Sequence, residues 1–270
     1  MLPLTRDGQR TVRPISPVAA YVGGKRQLAA ELVTRISRIS HRTYAEPFVG
    51  MGGVFLRRTE AAPGEVINDI NRDVATFFRV LQRHFAPFLD MFRYQLTMRS
   101  EFERLQATDP STLTDLERAA RFLYLQKTCY GGKVRGQNFG VDIQHPGTFN
   151  VTRLQPLLEA LHERLASVSI ECLPWQDFLT RYDRPETLFY LDPPYWGSED
   201  YYIKDAFTQA DFAKLSAALQ QLQGKWLLSI NDVPQIRDIF SWAKIDQVEL
   251  TYTLAGGDDA KTVSELIISR

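Results

Sequence analysis

The sequence predicts an α/β protein built on an open sheet, and three stretches carry that expectation. Thr43-Tyr-Ala-Glu46, Glu65-Val-Ile-Asn-Asp69 and Thr187-Leu-Phe-Tyr-Leu-Asp192 are short runs of β-favouring residues that each stop at an acid. Amphipathic helical patterns separate them. The last run stops most abruptly, at Asp192-Pro193-Pro194-Tyr195. Two prolines lack the N–H that a sheet ladder needs, so the chain leaves the sheet there. In open α/β sheets that carboxyl edge is where ligands bind. Asp-Pro-Pro is equally a common way to end a strand and turn, so this stretch alone leaves both readings open.

At 270 residues the chain is long enough for one large domain or a domain with an insertion. Lys+Arg and Asp+Glu balance at 32 each, so no global charge points to nucleic acid or membrane. Basic residues do cluster locally. Arg6, Arg10, Arg13, Lys25, Arg26, Arg35, Arg38 and Arg42 meet only Asp7 and Glu31, and Arg118 to Arg135 is also rich in them. Such clusters form either a phosphate-binding face or a solvated surface. Cys129 and Cys172 make no CxxC pair, which fits a reducing compartment. The first residues hold no apolar leader, and no stretch is long enough to span a bilayer.

Residues 1–17 are polar and punctuated by proline, which predicts a loosely held arm. Tyr21-Val-Gly-Gly-Lys25 then opens a predicted helix to about Ile39, where glycines let backbone N–H groups approach an anion and Lys25 adds a point charge. A plain Gly-Gly turn fits the same residues. Glu46-Pro-Phe48-Val-Gly50-Met-Gly52 reads as a strand end, a glycine loop and a following helix, the arrangement that cradles a nucleotide. Asp69 comes nineteen residues after Gly50, the spacing at which an acid accepts hydrogen bonds from ribose hydroxyls.

Helical patterns run from Asn71 to about Arg104 and from Leu116 to Lys127. Thr128 to Gly140 is different, a glycine-rich stretch that reads as a loop or short hairpin presenting Tyr130, Lys133, Arg135, Gln137 and Asn138. Arginine pairs bidentately with guanine, Asn and Gln with adenine, and an aromatic ring wedges into a base stack. A surface hairpin without a partner is the alternative. A helix from Arg153 to Ala166 and a strand from Ser169 to Leu173 resume the α/β rhythm. Asp177 and Phe178 follow, placed to read an adenine amino group and to pack on its ring, although Phe178 equally suits the core. Trp196 to Tyr202 forms an aromatic, acidic loop able to close over a substrate. A helix (208–222), a strand (226–230), a short helix to Phe240 and an antiparallel pair (248–254 and 263–269) around a Gly256-Gly-Asp-Asp loop complete the pattern. His41, His84, His145 and His162 lack metal-ligand spacing, so no metal is expected.

Taken in order, Tyr21-Val-Gly-Gly-Lys25, Glu46-Pro-Phe-Val-Gly-Met-Gly, Ile67-Asn-Asp69, Asp192-Pro-Pro-Tyr195, Ser229-Ile-Asn-Asp-Val-Pro and Lys261-Thr-Val-Ser-Glu-Leu-Ile-Ile resemble the Dam-type (D12 class) DNA adenine-N6 methyltransferases. The resemblance runs from about Val18 onward. It implies a Rossmann-like mixed seven-stranded sheet binding S-adenosylmethionine, with residues 1–75 and 166–270 as the catalytic domain. A mostly helical target-recognition region, residues 76–165, carries the hairpin and is inserted before the third sheet strand. Tyr21 and Lys25 then match positions at the cofactor's methionine end. Glu46, Phe48, Gly50 and Gly52 fall in its glycine-loop motif, Asp69 matches the ribose acid, and Asp177 and Phe178 match the adenine pocket. Arg135 falls where the family's hairpin reads a guanine. One departure stands out: Tyr130-Gly131-Gly132 replaces the usual Phe-Asn-Gly, which leaves the family's GATC-type target open for this chain. The expected setting is a cytoplasmic, bacterial or phage-encoded monomer acting on double-stranded DNA, with a paired restriction endonuclease as a possible partner.

Adenine N6 is a poor nucleophile because its lone pair is delocalised into the ring. In the chemistry this resemblance implies, Asp192 and the Pro193 carbonyl accept its two N–H bonds, and Tyr195 stacks on the extruded base. An RNA or protein-glutamine methyltransferase is the nearest rival, but more often has Asn in place of Asp192. A nicotinamide oxidoreductase fails on the glycine loop, which has Phe55 where the third small residue belongs. A catalytically silent DNA-binding protein leaves Asp192 to Tyr195 without a purpose.

Overall fold

The computed structural model describes residues 6–140, 147–198, 206–253 and 260–270. In chain order its strands are β1 (Arg10–Thr11), β2 (Thr43–Glu46), β3 (Glu60–Ala61), β4 (Gly64–Asn68), β5 (Ser169–Glu171), β6 (Thr187–Leu191), β7 (Lys225–Asn231), β8 (Lys244–Thr253) and β9 (Ala260–Ser269). Seven of them form one mixed sheet in the order β5-β4-β2-β6-β7-β9-β8, in which β9 alone lies antiparallel to both of its neighbours. This is the Rossmann-like α/β architecture the sequence predicts.

Strand periodicity explains why the sheet is sandwiched. Successive side chains point to opposite faces. Tyr44, Leu188, Tyr190, Leu227 and Ile267 therefore join the core under α1 (Ala29–Arg38), α2 (Arg72–Arg83), α5 (Asp115–Thr128) and α6 (Val151–Leu165). Their neighbours Ala45, Phe189, Leu191, Leu228, Leu266 and Ile268 join the core under α7 (Trp175–Tyr182), α8 (Gln209–Gln221) and α9 (Pro234–Ile239). All five residues of β6 are buried, as a central parallel strand covered on both faces requires.

Between β4 and β5 the chain is helical. The predicted run over 71–104 divides into α2, α3 (Phe85–Asp90) and α4 (Arg99–Ala107), with irregular chain between the last two. Asn71 caps α2 by accepting the Asp73 N–H, and Thr114 with Glu117 forms a capping box on α5. Phe77 and Phe78 of α2 share the core containing Tyr44 and Ile67 of the sheet, so these helices and the sheet pack as one body.

Three local expectations change. The arm is strapped down: β1 pairs with β3, and the Val12 and Ile15 N–H groups donate to Thr59 and Leu56. Those ladder bonds use backbone alone, which composition does not reveal. Helix α1 starts at Ala29 rather than at Gly23-Gly24-Lys25, which forms turns instead. Gly23 takes a left-handed φ of 73° that a helix start cannot hold. The helix expected after Gly52 is a single 3-10 turn, Phe55–Arg57. Glu199 to Tyr202, Leu254, the Gly256-Gly-Asp-Asp loop and His145 lie outside the described residues.

Beneath β2 and β4, at the end away from the strands' carboxyl termini, lies a buried ionic triad. Arg58 and Arg164 both reach Glu65 at 2.6 Å, and their guanidinium groups cover the rings of Tyr44 and Phe55. Removing the shared acid leaves two buried cations without a counterion. Glu65→Ala is expected to cost about 3–5 kcal/mol in urea-induced unfolding, and a loss within about 1 kcal/mol would show that the triad contributes little.

Candidate active site

Strand β2 pairs with β4 on one side and β6 on the other, and the chain's direction of winding reverses there. A cavity of about 710 Å³ opens at this switch point, on the carboxyl edge of the sheet. Glu46, Asp69 and Asp192, the three strand-ending acids, all line it. So do Tyr21, Lys25, Phe48 and Gly50. Ser16 to Ala20, from the arm, form a further part of its wall.

The glycine loop is built against the cavity. Gly50 has a φ of 49°, and a Cβ there would stand 2.9 Å from the Tyr21 ring, so only glycine lets ring and loop meet. The Gly50 N–H donates to Oδ2 of Asp69 and the Asn71 N–H to Oδ1. These two backbone donors fix the carboxylate, and each oxygen keeps acceptor capacity for a hydroxyl. Burial pushes Asp69 up to about 6 even so. Gly52 does not line the cavity; a Cβ on it would meet Leu56 at 2.8 Å, so it serves the packing of the following turn.

Asn68 ties three strand ends together. Its amide donates to the carbonyls of Pro47 and Leu173, and its oxygen accepts the Leu173 N–H. Sequence reading passed over it because an Asn beside a strand-ending acid looks like turn chemistry.

At the other end, Lys25 is 3% exposed and reaches Oδ1 of Asp192 at 2.6 Å. Its ammonium also donates to the Tyr195 hydroxyl at 2.5 Å and lies 4.2 Å from the centre of that ring. Glu265 stands 4.0 Å from the same nitrogen. Ser229 donates to Oδ1 of Asp192 at 3.3 Å. Burial pushes Asp192 up to about 6, against the opposing pull of Lys25. The Asn231 amide accepts the Trp196 N–H and donates to the Trp196 carbonyl, and so fixes the chain just after Tyr195. Pro193 is buried beside Asp192.

Glu46 is 2% exposed, and its Oε2 accepts the Tyr44 hydroxyl at 2.7 Å. Burial raises it to about 8, and the charge of Asp192 adds to that rise.

The adenine-pocket pair is placed differently from the rest. Phe178 is 0% exposed and packs on Tyr182 in the core, and Asp177 is exposed; neither lines the cavity. In a helix starting at Trp175, position 178 falls on the face turned to the sheet. Leu173, Pro174, Trp175 and Gln176 line the cavity there instead.

The predicted loop or short hairpin closes on a single bridge. A bridge joins Cys129 to Phe139, and the Tyr130 N–H donates to the Asn138 carbonyl. Tyr130 is 74% exposed, and Arg135 and Asn138 are exposed. Lys133 and Gln137 are half-buried, and the Gln137 amide donates inward to the Lys133 carbonyl at 2.8 Å. The hairpin base is welded to the cavity wall by Gln126, whose amide donates to the carbonyls of Ala20 and Gly132. Nothing in the helical pattern marked Gln126, a polar residue 1% exposed.

Among the described residues no group of three His, Cys, Asp or Glu side chains is arranged to hold a metal, and no helix is long and apolar enough to cross a membrane. The cavity suits a ligand with hydroxyl donors near Asp69. Its acidic end at Asp192 suits a hydrogen-bond donor.

Comparison with known proteins shows what the chain is similar to. Residues 21–254 match the family model described as D12 class N6 adenine-specific DNA methyltransferase. The chain is 25% identical to the Type II methyltransferase M1.LlaDCHI of Lactococcus lactis subsp. cremoris, over 94% of its own length and 95% of that protein's. It is also 25% identical to the DNA adenine methylase of Escherichia coli strain K12, over 92% of each chain. The Type II methyltransferase M.MjaIII of Methanocaldococcus jannaschii is 23% identical, over 73% of this chain and 75% of that one.

The raised Glu46 has a consequence for stability. Folded, it keeps its proton up to about 8; unfolded, it releases it near 4.5, so between these values the native chain binds more protons. Stability from this group is therefore complete at low pH and lost as pH rises through about 8. Glu46→Gln should melt like wild type near about pH 5 and at a higher temperature near about pH 8.5 in scanning calorimetry. Equal melting shifts at both pH values would refute the buried neutral acid.

Proposed function

The chain belongs to the D12 class N6 adenine-specific DNA methyltransferase family, and on that premise we propose that its cavity holds S-adenosylmethionine while Asp192 presents N6 of an extruded adenine. It is a site-specific DNA adenine methyltransferase, and methyltransferases of this family and fold use S-adenosylmethionine in general. The observation that carries the assignment of roles is one cavity lined by both Asp69 and Asp192.

The residues suit the cofactor. Asp69 would take the ribose hydroxyls, Gly50 and Phe48 would flank the nucleoside, and Tyr21, Lys25 and Glu46 would hold its amino-acid end. Asp177 and Phe178 remain the adenine-pocket candidates by resemblance, although Pro174 and Trp175 are the side chains that line the wall there. When bound, S-adenosylmethionine supplies an electrophilic methyl group on a sulfonium.

The protein's own part is positioning. Asp192 accepts one N6–H bond and the Pro193 carbonyl the other, which draws the amino group toward sp³ geometry and frees its lone pair. Tyr195 stacks on the extruded ring and offsets part of the flipping cost, roughly 1–3 kcal/mol. Residues 76–165 act as the target-recognition region, with residues 1–75 and 166–270 as the catalytic part. Tyr130, Lys133, Arg135 and Asn138 meet the duplex, Arg135 reading a base edge, while Gln137 shapes the hairpin from within. The enzyme acts as a cytoplasmic monomer, and the Type II names of its relatives make a paired restriction endonuclease a reasonable partner.

Two substitutions test this. Asp192→Ala should abolish tritium transfer from labelled cofactor to duplex DNA while the protein stays folded; a fully active variant would sink the assignment. Arg135→Ala should relax sequence preference, read by single-molecule sequencing of methylated DNA, with cofactor affinity kept within about twofold. Unchanged preference would remove Arg135 from recognition.

A further inference from the structure

Strand β9 runs antiparallel between β7 and β8, so residues early in β9 stand beside the carboxyl end of β7. Glu265 is one of these, in register with Asn231. Its side chain is 4% exposed, and its carboxylate lies 4.0 Å from the Lys25 ammonium, itself 2% exposed. Lys25 in turn sits 2.6 Å from Oδ1 of Asp192, the oxygen that Ser229 also donates to. Oδ1 is thus satisfied by the protein itself, whereas Oδ2 accepts no hydrogen bond from the described residues.

Building on the role given to Asp192 above, we propose that Glu265 is a positioning residue for methyl transfer: it holds Lys25 on Oδ1 of Asp192, which leaves Oδ2 for the acceptor amino group. A lysine is a point charge on a flexible stem, so one carboxylate fixes its distance but not its direction. A second carboxylate from another strand supplies the direction. Both contacts lie in a desolvated site, where a charge 4 Å away acts far more strongly than in water.

Charge bears on the same point. The titratable groups facing Asp192 are Lys25 from the loop before α1, Glu265 from β9, Glu46 from β2, Tyr190 from β6 and Tyr195 from its own loop. Burial pushes Asp192 up to about 6, Lys25 pulls it down and Glu265 pushes it up. Removing Glu265 or Lys25 therefore moves Asp192 in opposite directions, which a purely structural role for Glu265 does not require.

The test is Glu265→Gln, which keeps size and removes charge. With both substrates saturating, kcat for methyl transfer to duplex DNA should fall roughly tenfold with little change in either KM. The acid limb of the kcat profile should move to lower pH, and carbon-13 titration of the Asp192 carboxyl in the free enzyme should move the same way. Lys25→Gln should move both upward. Adding Glu265→Gln to Lys25→Gln should cost little further kcat, because the first residue acts through the second. Unchanged kcat and titration in folded Glu265→Gln, or fully multiplicative losses in the double variant, overturn the proposal. Should Glu265→Gln not fold, Glu265→Asp decides: it keeps the charge but withdraws it from Lys25, so kcat should fall, and an unchanged kcat overturns the proposal. Wild-type enzyme that is active but insensitive to Asp192→Ala would instead contradict the role of Asp192 itself.

Discussion

The contact between Lys25 and Asp192 lets a carboxylate stand at the end of a strand that is buried along its whole length. An acid in that position carries a desolvation cost, visible in the rise of Asp192 to about 6. Lys25 offsets it, and does so from the Gly-Gly-Lys turn that lines the cavity. The same ammonium touches Tyr195. Charge neutralisation and shaping of the acceptor end are thus done by one side chain.

The rest follows from where parallel strands end. With β4, β2 and β6 adjacent, Asp69, Glu46 and Asp192 project from one edge into one cavity. Each acid is handled differently. Asp69 is held by two backbone N–H groups, Glu46 takes up a proton and a tyrosine hydroxyl, and Asp192 takes a cation. The charge of Asp192 raises Glu46, and the proton on Glu46 lets the two acids share one cavity. Gln126 extends the site outward by joining the hairpin base to the chain at Ala20.

Much of this was legible in the sequence, for identifiable reasons. Apolar runs ending in acids located β2, β4 and β6, because a buried parallel strand must be apolar and its carboxyl end is the ligand edge. The glycine loop was legible because a backbone at φ 49° against Tyr21 admits no side chain. Phe178 packs in the core rather than along the cavity, because a motif position says nothing of which face a new helix turns inward. Glu265 was hidden for another reason: its neighbours come from β7 and from the loop before α1, and only strand order brings them together. The strapped arm was invisible because its ladder uses backbone groups alone, and Asn68 because its side-chain amide serves backbone partners that only the strand order brings to it.

The most direct test of the central claim is a crystal structure of the enzyme with S-adenosylhomocysteine and a duplex carrying its target site. An adenine turned out of the helix, its N6 within hydrogen-bond distance of Asp192 and its ring on Tyr195, is the predicted result. A target adenine still stacked in the duplex, or one held with N6 away from Asp192, would contradict it.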